Sequence, residues 1–438
     1  MDGTIFAPAT ASGRAGVSVI RISGPKAYTV PELMCGIKNP KPRYAYHSEI
    51  KALDGTPIDE GIVLCFPNPS SFTGEDVVEL QTHGGRAVMS AVLGQLAKLE
   101  GLRPAERGEF TRRAVENGKM DLTSAEGLAD LVDAETEQQR RQALRQMGGA
   151  LAKMYEKWRE ELKHLLAWEE AYIDFPEEEI PDDVSESIRK KIVNIENEIK
   201  QHLDDSRRGE RLREGYLIAI VGAPNAGKSS LMNKLAKKDV AIVSSTAGTT
   251  RDVIEVKLDL NGYPVIIADT AGLRETDEEI EAEGIRRALA KAEEADLVLQ
   301  VIDASAPSFE AKGQEKELQN SAKVLKIFNK TDISPITSSQ GFAISAKTGN
   351  GIAELLEYLS KRVEDTVGLK EEPSLTRLRH RSSLEECVKS LEDSLKAPQT
   401  ELMAEDLRMA MRSLGKITGQ VGVEELLDVI FKDFCIGK

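Results

Sequence analysis

The sequence predicts a multidomain α/β fold: an α+β domain at the N-terminus, then an all-α helical bundle into which a second α/β domain is inserted. Three observations lead there. An apolar run, Tyr216 to Val221, precedes Gly222-Ala-Pro-Asn-Ala-Gly-Lys-Ser229 and a helical pattern, the strand–loop–helix context of a phosphate-binding loop. Apolar residues recur at spacings of three and four on both sides of that stretch, as amphipathic helices require. The first part of the chain instead carries short strand-like runs. A chain of 438 residues has room for about three domains.

Residues 1–118 read as the α+β domain. Its strand-like runs are Gly16 to Ile22, Gly61 to Phe66 and Asp76 to Leu80. Val88, Val92, Leu96 and Leu99 make one helix face. Arg21 and Glu79 are polar residues within apolar strands. They either alternate out to solvent, pair with each other, or line a pocket for a polar ligand. His83-Gly-Gly85 and Gly108-Glu-Phe-Thr111 read as turns.

Residues 119–213 read as the first part of the helical domain. Leu144, Met147, Leu151, Met154, Trp158, Leu162 and Leu165 form one stripe, and Ile188, Ile192, Ile195, Ile199 and Leu203 another. Phe175-Pro176 through Pro181 separates them. The basic cluster Arg207 to Arg213 reads as a linker, a helix end or a contact for an anionic partner. Residues 364–438 resume the helical pattern with Leu384, Val388, Leu391 and Leu395, then Leu407, Met411 and Leu414. One bundle interrupted by the domain at 214–363 is the economical arrangement, because domain termini often lie close together. A change driven in the inserted domain then has two covalent routes into the bundle.

Within 214–363, Gly222 and Gly227 let the backbone curl so that successive N–H groups face phosphate oxygens. Lys228 reaches the β- and γ-phosphates, and the Ser229 hydroxyl suits Mg²⁺. Asp269-Thr-Ala-Gly272 follows the strand-like Pro264 to Ala268, where an aspartate holds Mg²⁺ through water and a glycine N–H approaches a γ-phosphate. Thr249-Thr250 lies where a switch threonine completes the Mg²⁺ shell. Asn329-Lys-Thr-Asp332 follows the apolar run Val324 to Phe328. An ionised Asp332 accepts two N–H bonds from guanine, a pair that adenine does not offer. Ser345-Ala-Lys347 braces the base. Further strands are Val253 to Leu260 and Leu297 to Ile302, and Ile352, Leu355, Leu356 and Leu359 mark a closing helix. In this order and spacing the set predicts a Ras-like P-loop domain that binds and hydrolyses GTP.

One position is out of pattern. In Ras-like proteins a glutamine after Asp-x-x-Gly orients the attacking water. Here that position is Leu273, which cannot. Arg274, Glu275, Asp277, Glu278, Glu279, Glu281 and Glu283 are nearby candidates, and spacing does not choose among them.

No apolar run is long enough to span a membrane and no basic-then-apolar leader follows Met1, so a cytoplasmic protein is expected. Cys35, Cys65, Cys387 and Cys435 have no paired metal spacing, which suits a reducing compartment. A net charge of −15 argues against broad, nonspecific nucleic-acid binding.

Beyond these readings, the whole chain resembles the bacterial tRNA-modification GTPase family MnmE, also called TrmE. The resemblance is carried by Arg21-Ile-Ser-Gly24, Phe72-Thr-Gly-Glu-Asp76, Glu79-Leu-Gln-Thr-His-Gly-Gly85, Gly108-Glu-Phe-Thr111, Asn117-Gly-Lys-Met-Asp121, Ala247-Gly-Thr-Thr-Arg-Asp252, Asp269-Thr-Ala-Gly-Leu-Arg274 and the terminal Cys435-Ile-Gly-Lys438. It implies a folate-binding-like N-terminal domain that takes 5-formyl- or 5,10-methylene-tetrahydrofolate and forms a homodimer. Arg21, Glu79, Lys119 and Lys438 match the family's folate-contacting positions. It implies a flavin-dependent partner, MnmG, and installation of an aminomethyl-type group, carboxymethylaminomethyl included, at C5 of the wobble uridine (U34) of certain tRNAs. GTP hydrolysis in the family is activated by K⁺-dependent pairing of GTP-binding domains. Asn225 matches its K⁺ ligand, with Ser244, Thr246 and Thr249 completing that site, while Ser229 and Thr250 match the Mg²⁺ positions.

The family's GTP contacts map onto Asn225, Ala226, Gly227, Lys228, Ser229 and Ser230; Ser244, Ser245, Thr246, Ala247, Gly248, Thr249 and Thr250; Asp269, Thr270, Ala271 and Gly272; Asn329, Lys330, Thr331 and Asp332; and Ser345, Ala346 and Lys347. Glu281 matches the acid that helps orient the attacking water, which answers the Leu273 problem by analogy. Lys228 and Thr250 join it as catalytic expectations. A thiol at Cys435 invites a role as nucleophile on uridine C6, but nothing in the sequence depresses its pKa.

Two other functions remain distinguishable. A GTP switch in ribosome or RNA assembly predicts a compact basic domain after residue 363, where the chain is acidic and helical. A folate-dependent transferase that uses GTP only for regulation predicts a complete catalytic set for one-carbon transfer, which the sequence does not supply.

Overall fold

The computed structural model describes residues 3–11, 13–174, 182–237, 254–269, 293–306, 323–336, 341–368, 372–421 and positions 427, 430, 431, 434 and 437. The chain divides into two compact units. Unit one comprises Met1–Ala129, Met147–Glu161 and Met411–Lys438; unit two comprises Asp130–Gln146 and Leu162–Ala410.

Unit one is built on a sheet of β1 (Thr4–Pro8), β2 (Ala15–Ser23), β3 (Tyr46–Lys51), β4 (Pro57–Phe66), β5 (Val77–Gly84) and β6 (Leu102–Pro104), in the order β3-β4-β5-β2-β1-β6. Only the β1–β6 pair is parallel among the described strands of this sheet. Side chains alternate between its faces. Ile20, Ile22, Val63, Cys65, Val78 and Leu80 are buried together with Val30 and Met34 of α1 (Thr29–Cys35) and Val92 and Leu96 of α2 (Arg86–Leu96). Arg21 and Glu79 fall on the other face, where Ile5, Ala7, Ala105 and Phe110 form a second cluster with Phe72 against it. Burying one large apolar side chain contributes roughly 1.5–3 kcal/mol, so the helix-covered face fixes the register. A slip of one residue would drive Arg21 and Glu79 into that core.

Two expected turns are differently built. His83 and Gly84 continue β5, because Asp59 accepts from the His83 N–H and pairs with its ring Nδ1, both at 2.8 Å. Gly84 pairs with Ala15, and a Cβ there would lie 2.6 Å from the Ala15 carbonyl oxygen. Gly108, at φ +66°, is the N-cap of α3 (Glu109–Glu116). Glu109 is buried at the helix start and accepts from Arg103 (2.8 Å), Arg113 (3.0 Å) and the Glu106 N–H (2.9 Å). Asp121 then caps α4 (Leu122–Asp133), accepting from the Thr123 and Ser124 N–H groups at 2.8 and 3.1 Å. Leu122 and Ala125 bury against Leu427, Phe431 and Phe434, and Gly437 packs on the Pro8 carbonyl.

The stripe expected from Leu144 to Leu165 is not one helix. Gly149, at φ +79°, separates α5 (Glu137–Met147) from α6 (Ala150–Asp174). Leu151, Trp158, Leu162 and Leu165 are buried as expected, but Leu144 is 45% exposed. α5 buries Gln142, Ala143 and Gln146 instead, within unit two. Gln142 donates to the Gly209 carbonyl (3.0 Å), and Gln146 accepts from the Thr376 hydroxyl (2.9 Å). Ile188, Ile192, Ile195 and Ile199 of α7 (Asp182–Leu203) are buried, as are Leu384, Val388 and Leu391 of α11 (Leu378–Lys396), which runs along α7. Leu407 and Leu414 of α12 (Thr400–Thr418) are buried too. The basic cluster after α7 forms α8 (Arg208–Glu214), and its arginines reach internal partners. Arg207 meets Glu210 (2.7 Å), Arg208 the Gly368 carbonyl (2.9 Å) and Arg211 Asp296 (2.6 Å).

The second sheet, in unit two, has β7 (Tyr216–Val221), β8 (Ile254–Leu260), β9 (Tyr263–Asp269), β10 (Leu297–Asp303), β11 (Val324–Asn329) and β12 (Phe342–Ala343), in the order β12-β11-β10-β7-β9-β8. β8 is antiparallel to β9 and every other described pair is parallel. Strands buried on both faces read as continuous apolar runs, as Ile218, Ala219 and Ile220 illustrate. α9 (Lys228–Ala236) and α10 (Ile352–Val367) contribute Leu231, Leu235, Ile352, Leu355 and Leu359 to the core, while Leu356 packs against it partly buried. β7 lies between β9 and β10, so the loop leaving it opens at the topological switch point where open α/β sheets bind ligands.

Candidate functional site

The loop between β7 and α9 has its glycines where side chains have no room. Gly222 is at φ +147°, and a Cβ there would lie 2.2 Å from the Val301 carbonyl oxygen. Gly227, at φ +99°, would meet Asn329 Nδ2 at 2.2 Å. Asn225 is exposed at φ +63°, a conformation that asparagine tolerates better than most residues. Left-handed residues among right-handed ones turn successive N–H groups inward and create an anion-binding concavity. Lys228 opens α9 with its side chain only 9% exposed. Its ammonium bridges the loop, donating to the Gly222 and Ala223 carbonyls at 2.7 and 3.0 Å. Ser229 and Ser230 follow on the exposed side of the helix start.

A second corner forms after β11 and β12. Asn329 is 3% exposed and staples two loops: Nδ2 donates to the Ala226 carbonyl (2.8 Å), and Oδ1 accepts from the Ala346 N–H (2.9 Å). Asp332 is exposed, and its Oδ1 accepts from the Ser345 hydroxyl (2.7 Å). That same hydroxyl oxygen accepts from the Thr348 N–H (3.1 Å), so donor and acceptor roles at Ser345 are both used. Thr331 donates its N–H to the Ile344 carbonyl (3.2 Å), and Lys347 is exposed beside the buried Ser345 and Ala346. Lys330, at φ +68°, pairs with Asp303, which lies opposite Asn329 in the β10–β11 register. The Lys330 and Ser305 hydrogen bonds hold the Asp303 carboxyl well down, to about 2. An anion-binding loop and an acidic corner are thereby joined through one buried asparagine.

Asp269 ends β9, in register with Ile220 and Ile254. Ser244, Ser245, Thr246, Ala247, Gly248, Thr249, Thr250, Thr270, Ala271, Gly272, Leu273 and Glu281 lie outside the described residues, as do Cys435 and Lys438.

In unit one, the polar strand residues are paired. Arg21 and Glu79 are cross-strand partners on β2 and β5, and both Arg21 Nε and a terminal nitrogen reach Glu79 Oε1 at 3.0 Å. The guanidinium also sits over the Phe72 ring at 5.1 Å and the Phe110 ring at 5.9 Å. Glu79 lines a pocket of about 410 Å³ with Arg43, Phe66, Ser70, Ser71, Phe72, Val77 and Lys119. Lys119 Nζ donates to the Pro69 carbonyl at 2.9 Å. The structure thus brings Glu79 and Lys119 to one pocket wall, with Arg21 paired to Glu79 beside it. Sequence reasoning missed Arg43, Phe66 and Asp303, which carry no spacing signal.

The expected ions can be tested against these donors. Mg²⁺ takes hard oxygen ligands and keeps phosphate and water in its shell. A serine hydroxyl at the start of α9, beside an anion-binding loop, fits that demand. An exposed asparagine amide oxygen on the same loop suits K⁺ equally well. No helix among the described residues is long and apolar enough to cross a membrane.

Comparisons with known proteins agree with this geometry. The family model for the MnmE helical domain matches residues 122–435, and that for the GTP-binding protein TrmE N-terminus matches residues 4–119. The tRNA modification GTPase MnmE of Parvibaculum lavamentivorans is 53% identical over 440 residues, covering 99% of this chain and 100% of the relative. Its counterpart in Rhodospirillum rubrum is 51% identical over 454 residues, covering 99% of each chain. That of Paramagnetospirillum magneticum is 51% identical over 445 residues, with 100% of both covered. With full-length identity at this level and both family models matched, the chain belongs to the MnmE family of tRNA modification GTPases.

Proposed function

We propose that the chain hydrolyses GTP to drive tRNA modification. Working with the flavin-dependent protein MnmG, it adds an aminomethyl- or carboxymethylaminomethyl-type group to C5 of the wobble uridine (U34) in certain tRNAs, from a tetrahydrofolate one-carbon unit. The observation that carries the nucleotide half of this reading is the joined corner. Asn329 ties the phosphate loop to the Ser345 loop, and Ser345 orients Asp332. An ionised carboxylate so held accepts the N1–H and 2-amino N–H of guanine, whereas adenine leaves it unpaired, a loss that discriminates strongly.

The phosphates then lie along the loop from Gly222 to Ser230, with backbone N–H groups and the dipole of α9 offsetting their charge. Lys228 stabilises charge growing on the β–γ bridge and the γ-phosphoryl oxygens. Ser229, Thr250 and, through water, Asp269 would hold Mg²⁺, which when bound neutralises charge on the β- and γ-oxygens. Asn225, with Ser244, Thr246 and Thr249, would hold K⁺, a counterion for the same developing charge. Leu273 leaves water orientation to another group, and Glu281 is the residue assigned to it. Pairing of two GTP-binding domains in a homodimer would bring these groups to work together, so that ion binding, pairing and hydrolysis are coupled. Ala226, Gly227, Ser230, Ser245, Ala247, Gly248, Thr270, Ala271, Gly272, Lys330, Thr331, Ala346 and Lys347 complete the proposed nucleotide contacts.

The unit-one pocket is the proposed folate site. Glu79 offers a carboxylate to the ring's N–H donors, Arg21 fixes that carboxylate, and Lys119 and Lys438 meet anionic parts of the ligand. The domain arrangement proposed is a folate and dimerisation domain at 1–118, a helical domain at 119–213 and 364–438, and the inserted GTP-binding domain at 214–363. A cytoplasmic location follows from tRNA as substrate.

Reconstitution tests this reading. Full-length chain, MnmG, unmodified tRNA, GTP and reduced folate are combined, and the digested tRNA is read by mass spectrometry. The reading expects a modified wobble uridine that needs both folate and hydrolysable GTP. Equal modification with a non-hydrolysable GTP analogue would overturn the coupling, and modification without folate would overturn the one-carbon assignment.

A further inference from the structure

The wall of the unit-one pocket has a second cation that the expected ligand set does not contain. The turn after β4 presents consecutive carbonyls. That of Pro69 accepts from Lys119 at 2.9 Å, and that of Ser70 accepts from the Arg43 guanidinium. Two cationic groups are thereby anchored on neighbouring residues of one pocket. Arg43 lies over the Phe66 ring at 5.4 Å, which fixes the side chain from below. The turn itself is held from several sides. The Asn68 N–H donates to Asp76 (2.9 Å), Asn117 donates to the Thr73 carbonyl (2.7 Å), and Ser71 donates to the Glu75 carbonyl. Among the described residues Glu79 is the one carboxylate lining this pocket, and it already faces Arg21. The turn side of the pocket therefore carries two cations on one hydrogen-bonded support.

An ammonium carries three N–H donors and a guanidinium five, so a carbonyl partner does not exhaust either. We propose that Arg43 and Lys119 form a clasp for the paired carboxylates of a glutamate tail, so that the pocket selects reduced folates by their acidic tail as well as by their ring. The inference rests on the folate reading above and assigns Arg43 as a specificity-determining residue within it. Charge-assisted bonds from cations to a carboxylate are stronger than neutral ones. Arg43 is exposed, however, and solvent screening limits its share to about tenfold in affinity.

Calorimetric titration of the full chain with three ligands tests this: 5-formyltetrahydrofolate, its triglutamate, and 5-formyltetrahydropteroate, which lacks glutamate. The unaltered chain is expected to bind the triglutamate tightest and the glutamate-free compound weakest, with the gap narrowing as salt rises. Arg43→Met keeps an apolar stem over Phe66. It should weaken both glutamate-bearing ligands about tenfold while leaving the glutamate-free one unchanged, and Arg43→Lys should recover part of the loss. An equal loss for all three ligands would mean that Arg43 only supports the pocket wall and would overturn the clasp. So would unchanged affinities for both glutamate-bearing ligands in Arg43→Met. Failure of the unaltered chain to bind any of the three would instead overturn the folate reading, and the clasp with it.

Discussion

The nucleotide corner of unit two and the pocket of unit one are built by opposite means. The corner is made mainly of backbone: glycines at positive φ, N–H groups turned inward and one buried asparagine stapling two loops. The pocket is made of side chains brought together across a sheet, with Arg21 and Glu79 separated by 58 residues and Lys119 reaching back 50 residues to Pro69. A backbone-built site dictates residue type over a short contiguous stretch, so it writes its signature into local sequence. A site built from side chains depends on strand register, and its residues have no fixed spacing to each other.

That difference can be broken or sharpened by substitution. The largest effect is expected at Asp332, where one carboxylate reads the base. Asp332→Asn should weaken GTP binding about a thousandfold, as a site loses when its paired polar group is mismatched. It should raise affinity for xanthosine triphosphate, whose 2-oxo group accepts from the new amide; competition with a fluorescent nucleotide measures both. If GTP affinity stays within a few-fold, the corner does not read guanine.

Gly222→Ala should come next. Its Cβ would sit against the Val301 carbonyl, which is backbone and cannot move aside like the end of a side chain. Strain and clash of this kind amount to a few kcal/mol, or about a hundredfold in nucleotide affinity. Reduced-folate binding should stay unchanged in the same protein. Joint loss of both ligands would mean global unfolding and would erase the contrast between the two sites.

Glu79→Gln tests the reverse case. It keeps the shape of the pocket but removes the charge facing Arg21, and reduced-folate affinity should fall about tenfold while basal GTP turnover is unchanged. Calorimetry and phosphate release measure the two halves separately.

The smallest effect is a flat one. The Asp303 carboxyl is held at about 2 by Lys330 and Ser305. A carboxyl whose folded pKa lies below its unfolded value near 3.9 stabilises fully above that value and loses its contribution as pH falls through the folded pKa. Nucleotide dissociation should therefore be insensitive to the Asp303–Lys330 pair's titration between pH 8 and 5. Asp303→Asn should shift dissociation by the same modest factor across that range. A factor that grows steadily from pH 8 to 5 would contradict the pairing.

The legibility of the fold follows the same division. Strands β7, β9 and β11 of unit two could be anticipated because each of these apolar runs leads straight into a loop of distinctive chemistry. Arg21 and Glu79 were readable only as three alternatives, since nothing local tells whether two strand residues face each other; the register Arg21 to Glu79 decides it. Gly84 looked like a turn residue because glycine usually marks one, yet here it permits close approach of Ala15 inside a strand. The helical stripe was overextended at Leu144 because Gln142 and Gln146, with hydrogen-bonding partners on other segments, take the buried positions. Polar residues held by partners on other segments leave no periodicity to read. Arg43 and Asp303 were invisible for that reason as well.

The most direct test of the account is steady-state GTP hydrolysis in K⁺ and in Na⁺ at matched ionic strength, over a range of protein concentrations. A rate at least about tenfold higher in K⁺, rising with protein concentration and abolished by Asn225→Ala, is the predicted result, because a counterion at the developing charge is worth at least that much. Equal rates in the two ions would contradict the paired-domain mechanism, and the water-orienting role assigned to Glu281 would lose its support.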